Sequence, residues 1–112
     1  MELEQLRDTV VHALEDLKGA DVRVLDVRGR CSFTDLMIFA SGTSDRHVKS
    51  LAANVDEKVR EAGHRPLGIE GADQAQANWV LLDLGDIVVH VMLPETREFY
   101  QLEKLWGAES AA

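Results

Sequence analysis

The segment Gly42-Thr43-Ser44 is where residue types and spacing come closest to a ligand site. A small, hydroxyl-rich turn between a strand and a helix can hold a phosphate on the free amides of the helix N-terminus. Nucleotidyl transfer would also need carboxylates around Mg²⁺, two residues apart if they share one strand face. Asp83 and Asp86 are three residues apart and straddle a turn, so they cannot share a face of one strand. The spacing that this chemistry requires is therefore missing. We therefore predict a helix cap, and a nucleotide-binding or nucleotidyltransferase-like enzyme using this turn is the alternative function.

Other groupings of reactive side chains carry weaker signals. Ser44, Asp45 and His47 crowd one helix start, where neighbouring side chains rarely reach the geometry of a catalytic triad. His90 could share a metal ion with Asp83 or Asp86, but the spacing offers no third ligand. The sequence therefore predicts no catalytic residue, no metal site and no cofactor.

Composition restricts the class of protein. The chain has 112 residues, of which 46% are hydrophobic, enough for one domain with a modest core. The single cysteine, Cys31, suits a reducing cytoplasm, and the acidic N-terminus does not resemble a signal peptide. We therefore expect a cytoplasmic protein without a membrane segment.

The net charge is −8, from 12 Lys+Arg and 20 Asp+Glu. This balance disfavours direct nucleic-acid binding, which depends on neutralising phosphates. Two interpretations stay open: the acids steer the chain to a basic protein partner, or they only confer solubility.

The elements that position these residues follow from apolar periodicity. Helical spacing predicts helices over 2–18, from Ser44 to Gly63, and after Pro94. Strands are predicted at 21–27, 35–41 and 66–70, and a hairpin at 79–83 and 87–93 turns at Gly85. The order α-β-β-α-β-β-β-α predicts an α/β fold with a mixed sheet of about five strands and helices packed on it. We predict one domain over residues 1–106 and a short flexible tail over 107–112.

Alternation along the hairpin sorts its side chains into two faces. Ile87, Val89, Val91 and Leu93 are uniformly aliphatic and should face the helices. The other face carries His90 and Met92 and, on the preceding strand, Trp79. It is predicted to be a half-exposed binding surface, and the alternative is a second core layer. On the last helix, Phe99, Leu102 and Trp106 are expected to dock inward, whereas Tyr100, Glu103 and Lys104 point away.

The ordered set of motifs resembles one family along nearly the whole chain. The motifs are Thr34-Asp35, Gly42-Thr43-Ser44-Asp45-Arg46-His47-Val48-Lys49, Glu70-Gly71, Trp79-Val80-Leu81-Leu82-Asp83, Gly85-Asp86-Ile87-Val88-Val89-His90, Leu93-Pro94, Arg97-Glu98-Phe99-Tyr100 and Leu102-Glu103-Lys104-Leu105-Trp106. Together they resemble the ribosomal silencing factor (Iojap) family.

This resemblance implies a fold similar to nucleotidyltransferases in a protein that is not an enzyme. It implies binding to the large ribosomal subunit through its universal protein fourteen, on the intersubunit face. That contact would block joining of the small subunit and repress translation, notably under nutrient limitation. A homodimer in the free state is also implied.

We assign the partner contact to the hairpin face and the last helix. Trp79 and Met92 would be the apolar anchors, and His90, Asp83 and Asp86 would fix the orientation of the partner. Further contacts would come from Tyr100 and Lys104.

Overall fold

The computed structural model describes residues 2–106, with every side chain in that range except those of Leu105 and Trp106. The predicted tail at 107–112 and the predicted docking of the Trp106 side chain lie outside what the structure describes. The elements are α1 (Leu3–Asp16), β1 (Ala20–Asp26), β2 (Leu36–Ser41), α2 (Asp45–Glu61), β3 (Gly68–Glu70), β4 (Trp79–Asp83), β5 (Ile87–Met92), α3 (Pro94–Tyr100) and α4 (Leu102–Trp106). None of these helices is long and apolar enough to span a membrane.

The five strands form one mixed sheet in the order β1-β2-β5-β4-β3, which confirms the predicted α/β class. Strands β2 and β5 pair in parallel, and each of the other neighbouring pairs is antiparallel. All residues of β2 and β5 are buried. Both strands are apolar runs of the kind that a sheet covered on both faces requires.

Helices α1 and α2 cover one face of the sheet. α2 begins after Ser44, whose Oγ accepts the His47 backbone N–H at 3.1 Å, as the predicted cap requires. Each helix buries an apolar stripe, and the Asn54 amide of α2 donates to the Ala13 carbonyl of α1 at 2.8 Å. The core that they share with the sheet includes Ile87, Val89 and Val91, and Leu93 packs against it, as predicted.

The opposite face of the sheet has its own buried layer, so the predicted half-exposed surface is wrong for two residues. His90 is 5% exposed and Met92 is 1% exposed. Met92 belongs to a second buried cluster against which Cys31 and Leu102 of α4 pack, and the His90 ring stacks on Phe39 of that cluster. The second core layer, which the sequence left open, is therefore what the fold contains at these positions.

The last predicted helix is two short helices, because Gln101 takes left-handed backbone angles (φ 50°, ψ 42°) between them. This break changes which side chains face the core. Phe99 was expected to dock inward and is 79% exposed. Glu103 was expected to point away and is half-buried, in contact with Arg97. Leu102 packs inward as predicted, and Tyr100 and Lys104 are exposed.

A substitution at Gly71 tests how closely the loop before β4 must approach that strand. Its φ is +91°, and a Cβ added there would overlap the backbone carbonyl oxygen of Trp79. Gly29 is the matched control, with φ +89° and nothing near its missing Cβ. We expect Gly29→Ala to cost about 1 kcal/mol from the left-handed backbone alone. Gly71→Ala should cost at least about 1 kcal/mol more, because backbone must move. Urea denaturation followed by far-UV circular dichroism measures both, and equal losses would contradict the close approach.

Candidate functional site

Trp79 lies where the sheet meets the C-terminal helices. It is the first residue of β4 and pairs in register with Met92, the last residue of β5. Its indole is half-buried, and the Nε1–H donates to His90 Nδ1 at 3.2 Å. A hydrogen-bonded indole has one preferred orientation, so Trp79 is held in place from the sheet side.

His90 supports that indole from within the second core layer. Its ring stacks on Phe39 with centroids 4.7 Å apart and an interplanar angle of 10°. Because Nδ1 accepts from Trp79, we assign the ring proton to Nε2, which has no hydrogen-bond partner in the described part of the chain. Burial lowers the pKa of His90 from 6.5 to about 4, which keeps the ring neutral near pH 7. His90 therefore orients Trp79 rather than presenting a charge to solvent.

Two further aromatic rings continue outward from Trp79. The Tyr100 ring lies 5.0 Å from the Trp79 ring, and the Phe99 ring meets Tyr100 edge-on, also at 5.0 Å. Tyr100 is 52% exposed, and Phe99 is the most exposed of the three. We call Trp79, Tyr100 and Phe99 the aromatic ridge. Exposed adjoining aromatics of this kind are typical of protein-binding surfaces.

Phe99 is a member of the ridge that the sequence analysis missed. The buried residues of α3 are Thr96 and Arg97. At about 100° per residue, Tyr100 falls near their side of the helix, and Phe99 falls well away from it. The expected apolar stripe placed Phe99 inside because it assumed an unbroken helix. No local pattern corrects this, since Arg97 is held by residues distant in sequence.

Lys104 is near the ridge, at the side of a polar cleft. It is exposed on α4, and the cleft, about 380 Å³ in volume, separates α3 and α4 from the ends of β1 and β2. The cleft is lined by Asp21, Ser41, Pro94, Arg97, Glu98, Gln101, Glu103 and Lys104. Lys104 and Tyr100 are therefore brought to the same end of the molecule.

Asp83 and Asp86 are at the opposite end of the hairpin. Asp83 pairs in register with Val88, four residues along β4 from Trp79, or ~13 Å at strand spacing. Its Oδ1 accepts the Gly85 N–H at 2.9 Å, which stabilises the turn. Asp86 is exposed. The fold thus divides the predicted site residues into three groups: the ridge end, the buried pair His90 and Met92, and the turn end.

Polar groups of the turn Gly42-Thr43-Ser44 are engaged in hydrogen bonds within the chain, although Thr43 and Ser44 are exposed. The Thr43 N–H donates to His47 Nδ1 at 2.9 Å, so His47 donates through Nε2 to the Leu17 carbonyl at 2.7 Å. A Cβ on Gly42 would meet Val48 at 2.9 Å, which explains the glycine by packing. These amides and side chains are used in capping α2 and joining it to the end of α1. Among residues 2–106, no group of three or more His, Cys, Asp and Glu side chains is placed to hold a metal ion.

A family model described as "Ribosomal silencing factor during starvation" matches residues 1–112. The chain belongs to the ribosomal silencing factor family. It is 45% identical over 109 residues to the ribosomal silencing factor of Chromobacterium violaceum, covering 97% of this chain and 88% of that one. A crystal structure of a protein from the same bacterium, also 45% identical, superposes with a TM-score of 0.91 over 95% of this chain and 87% of the other.

A more distant relative is the mouse protein named mitochondrial assembly of ribosomal large subunit protein 1. It is 36% identical over 106 residues, which are 92% of this chain and 46% of the mouse protein. The predicted family is confirmed, and with it a ribosome-associated regulatory role.

Burial of His90 predicts a pH dependence of stability in this silencing factor. The unfolded chain takes up a proton on His90 near pH 6.5, whereas the folded chain takes it up only near pH 4. Between these values acid favours the unfolded state, so the free energy of unfolding falls as pH falls. We expect a loss of roughly 2–3 kcal/mol from pH 7 to pH 4 that His90→Gln does not show. Urea titrations at several pH values measure it, and parallel pH profiles for the two proteins would contradict the neutral buried ring.

Proposed function

We propose that this chain binds the large ribosomal subunit through its universal protein fourteen and sterically blocks joining of the small subunit. Translation is thereby repressed, notably under nutrient limitation. The activity is binding alone, with no reaction catalysed and no cofactor, and its place is the cytoplasm, where the subunits are. The observation that carries the proposal is the aromatic ridge, an exposed apolar surface on a highly acidic chain of this family.

The ridge has the composition of a binding hot spot. Aromatic side chains contribute most when a partner surface removes them from water, and Phe99 and Tyr100 leave most of their area available for that. Glu95 and Glu98 are exposed on the same short helix. An apolar centre with an acidic border fits a basic protein surface that carries an apolar pocket.

The charge of the chain favours a protein contact over a ribosomal RNA contact. With a net charge of −8, the chain repels the phosphate backbone and cannot gain much from counterion release. Many ribosomal proteins are basic, so an acidic factor would be steered to one of them. The name of the mouse relative, which refers to the large subunit, supports that subunit as the docking partner.

The predicted site residues take different roles in this proposal. Trp79 and Tyr100 contact the partner together with Phe99, and Lys104 contributes at the side of the ridge. His90 and Met92 lie beneath and support Trp79, since both are buried. Asp83 and Asp86 lie at the turn end of the hairpin, with Asp83 already ~13 Å along β4 from Trp79. In this proposal they stabilise and present the turn and are not part of the ridge contact.

The first test uses light scattering to monitor the reassociation of purified ribosomal subunits. Large subunits are preincubated with the chain before small subunits are added, and we expect reassociation to be suppressed. Phe99→Ala should weaken large-subunit binding by at least about 2 kcal/mol, or roughly thirtyfold in Kd. The cost to folding should be slight, because Phe99 is exposed.

Phe33→Ala is the matched control. Phe33 is also an exposed phenylalanine, but it precedes β2 at the end of the sheet where β5 begins, away from the ridge. The Phe33→Ala variant should suppress reassociation as strongly as the unchanged chain does. Normal reassociation with the unchanged chain would overturn the proposed function. If Phe99→Ala and Phe33→Ala had equal effects, the ridge would not be the surface that binds the large subunit.

We propose the same ridge as the contact surface of a homodimer in the free state. A second copy would cover the exposed apolar area until a ribosomal surface replaces it. Analytical ultracentrifugation should then show a dimer that Phe99→Ala weakens and Phe33→Ala does not. A dimer unaffected by Phe99→Ala would place the self-contact elsewhere.

A further inference from the structure

Helix α3 is attached to the protein by polar rather than apolar side chains. The longer helices α1 and α2 bury stripes of Leu, Val and Ala. The buried residues of α3 are Thr96 and Arg97, and its aromatic residues, Phe99 and Tyr100, are exposed. The position of the ridge therefore depends on what holds Arg97.

The Arg97 guanidinium makes four hydrogen bonds to three separate elements. Its Nε and Nη2 donate to the two carboxylate oxygens of Glu103 at 2.6 and 3.0 Å. Nη1 donates to Ser41 Oγ at 2.9 Å, and Nη2 donates to the Asp21 carbonyl at 2.7 Å. The planar fork thus joins α3 to α4, to the end of β2 and to the start of β1. We call these contacts the Arg97 clamp.

The ion pair in the clamp is compatible only with a break between the two helices. On a continuous helix, residues six apart are separated by ~9 Å along the axis and lie on different sides. Glu103 reaches Arg97 because Gln101 turns the chain back through left-handed backbone angles. Phe99 and Tyr100 are the residues between the clamp and this bend.

We propose that Arg97 is the positioning residue of the aromatic ridge. By fixing both the rotation of α3 and the bend at Gln101, it sets the Tyr100 ring against Trp79 and leaves Phe99 exposed beside them. Its importance for ribosome binding rests on the function proposed above. Its effect on the Trp79–Tyr100 ring contact does not, and can be measured in the free chain.

Arg23 provides a matched control, because it reaches the same carboxylate. Its Nε lies 3.7 Å from Glu103 Oε2, and its side chain is 66% exposed. Both Arg97→Lys and Arg23→Lys keep the positive charge and lose the guanidinium fork. Only the first removes hydrogen bonds to Ser41 and Asp21.

The experiment measures nuclear Overhauser cross-peaks between the Trp79 and Tyr100 rings in the full chain, together with Kd for large subunits. We expect Arg97→Lys to lose most of the ring cross-peak intensity while the methyl spectrum of the α1–α2 core is kept. Large-subunit binding should weaken by roughly tenfold or more. Arg23→Lys should match the unchanged chain in both measurements.

Wild-type ring cross-peaks in Arg97→Lys would overturn the positioning role. Lost cross-peaks with unchanged binding would overturn its importance for the ribosome. If Arg97→Lys loses the core methyl spectrum as well, Glu103→Gln replaces it as the variant: reduced ring cross-peaks support the proposal, and full intensity overturns it. If the unchanged chain does not bind large subunits, the proposed function fails, and the cross-peaks alone decide the role of Arg97.

Discussion

Strand β5 is buried along its whole length, and the arrangement of the other elements follows from the need to cover both of its faces. On one face α1 and α2 supply two long apolar stripes. On the other face the described cover is thin, and the residues outside the strands that pack there include Val27, Cys31 and Leu102 of α4. This cover buries Phe39 completely, but it does not extend over the whole Trp79 side chain. Trp79 is left half-buried at its border, and the ridge begins there.

His90 shows how a polar residue becomes part of a core under this constraint. In its neutral form the ring is flat and aromatic, so it stacks on Phe39 as a phenylalanine would. The Nε2–H, which has no hydrogen-bond partner among the described residues, costs about 1–3 kcal/mol in such surroundings. The acceptor at Nδ1 is what a phenylalanine could not provide, and it fixes the Trp79 indole. Stability is thus lost at one nitrogen while orientation is gained at the other.

The elements and the sheet class could be predicted because each depends on local periodicity. Helix α2, the hairpin around Gly85 and the inward face of Ile87, Val89 and Val91 were all found in this way. The burial of the hairpin's outer face could not be predicted in this way. An alternation of Val, His and Met is compatible with a binding surface and equally with a core that contains a neutral histidine. The break at Gln101 depends on contacts from Arg97 to residues distant in sequence, which no local pattern contains. Because the predicted helix lacked this break, the expected orientation of Phe99 was wrong as well.

A polar clamp suits a short helix that must present aromatic side chains to solvent. If α3 were held by apolar contacts alone, both of its sides would be apolar, and rotation about its axis could exchange the buried side for the exposed one. Hydrogen bonds from a planar guanidinium are directional, so they favour one rotation of the helix. A ridge held in one orientation before binding loses less side-chain and backbone entropy when a partner arrives. The thin cover and the polar attachment therefore have one physical consequence: the aromatic surface is exposed and, at the same time, preorganised.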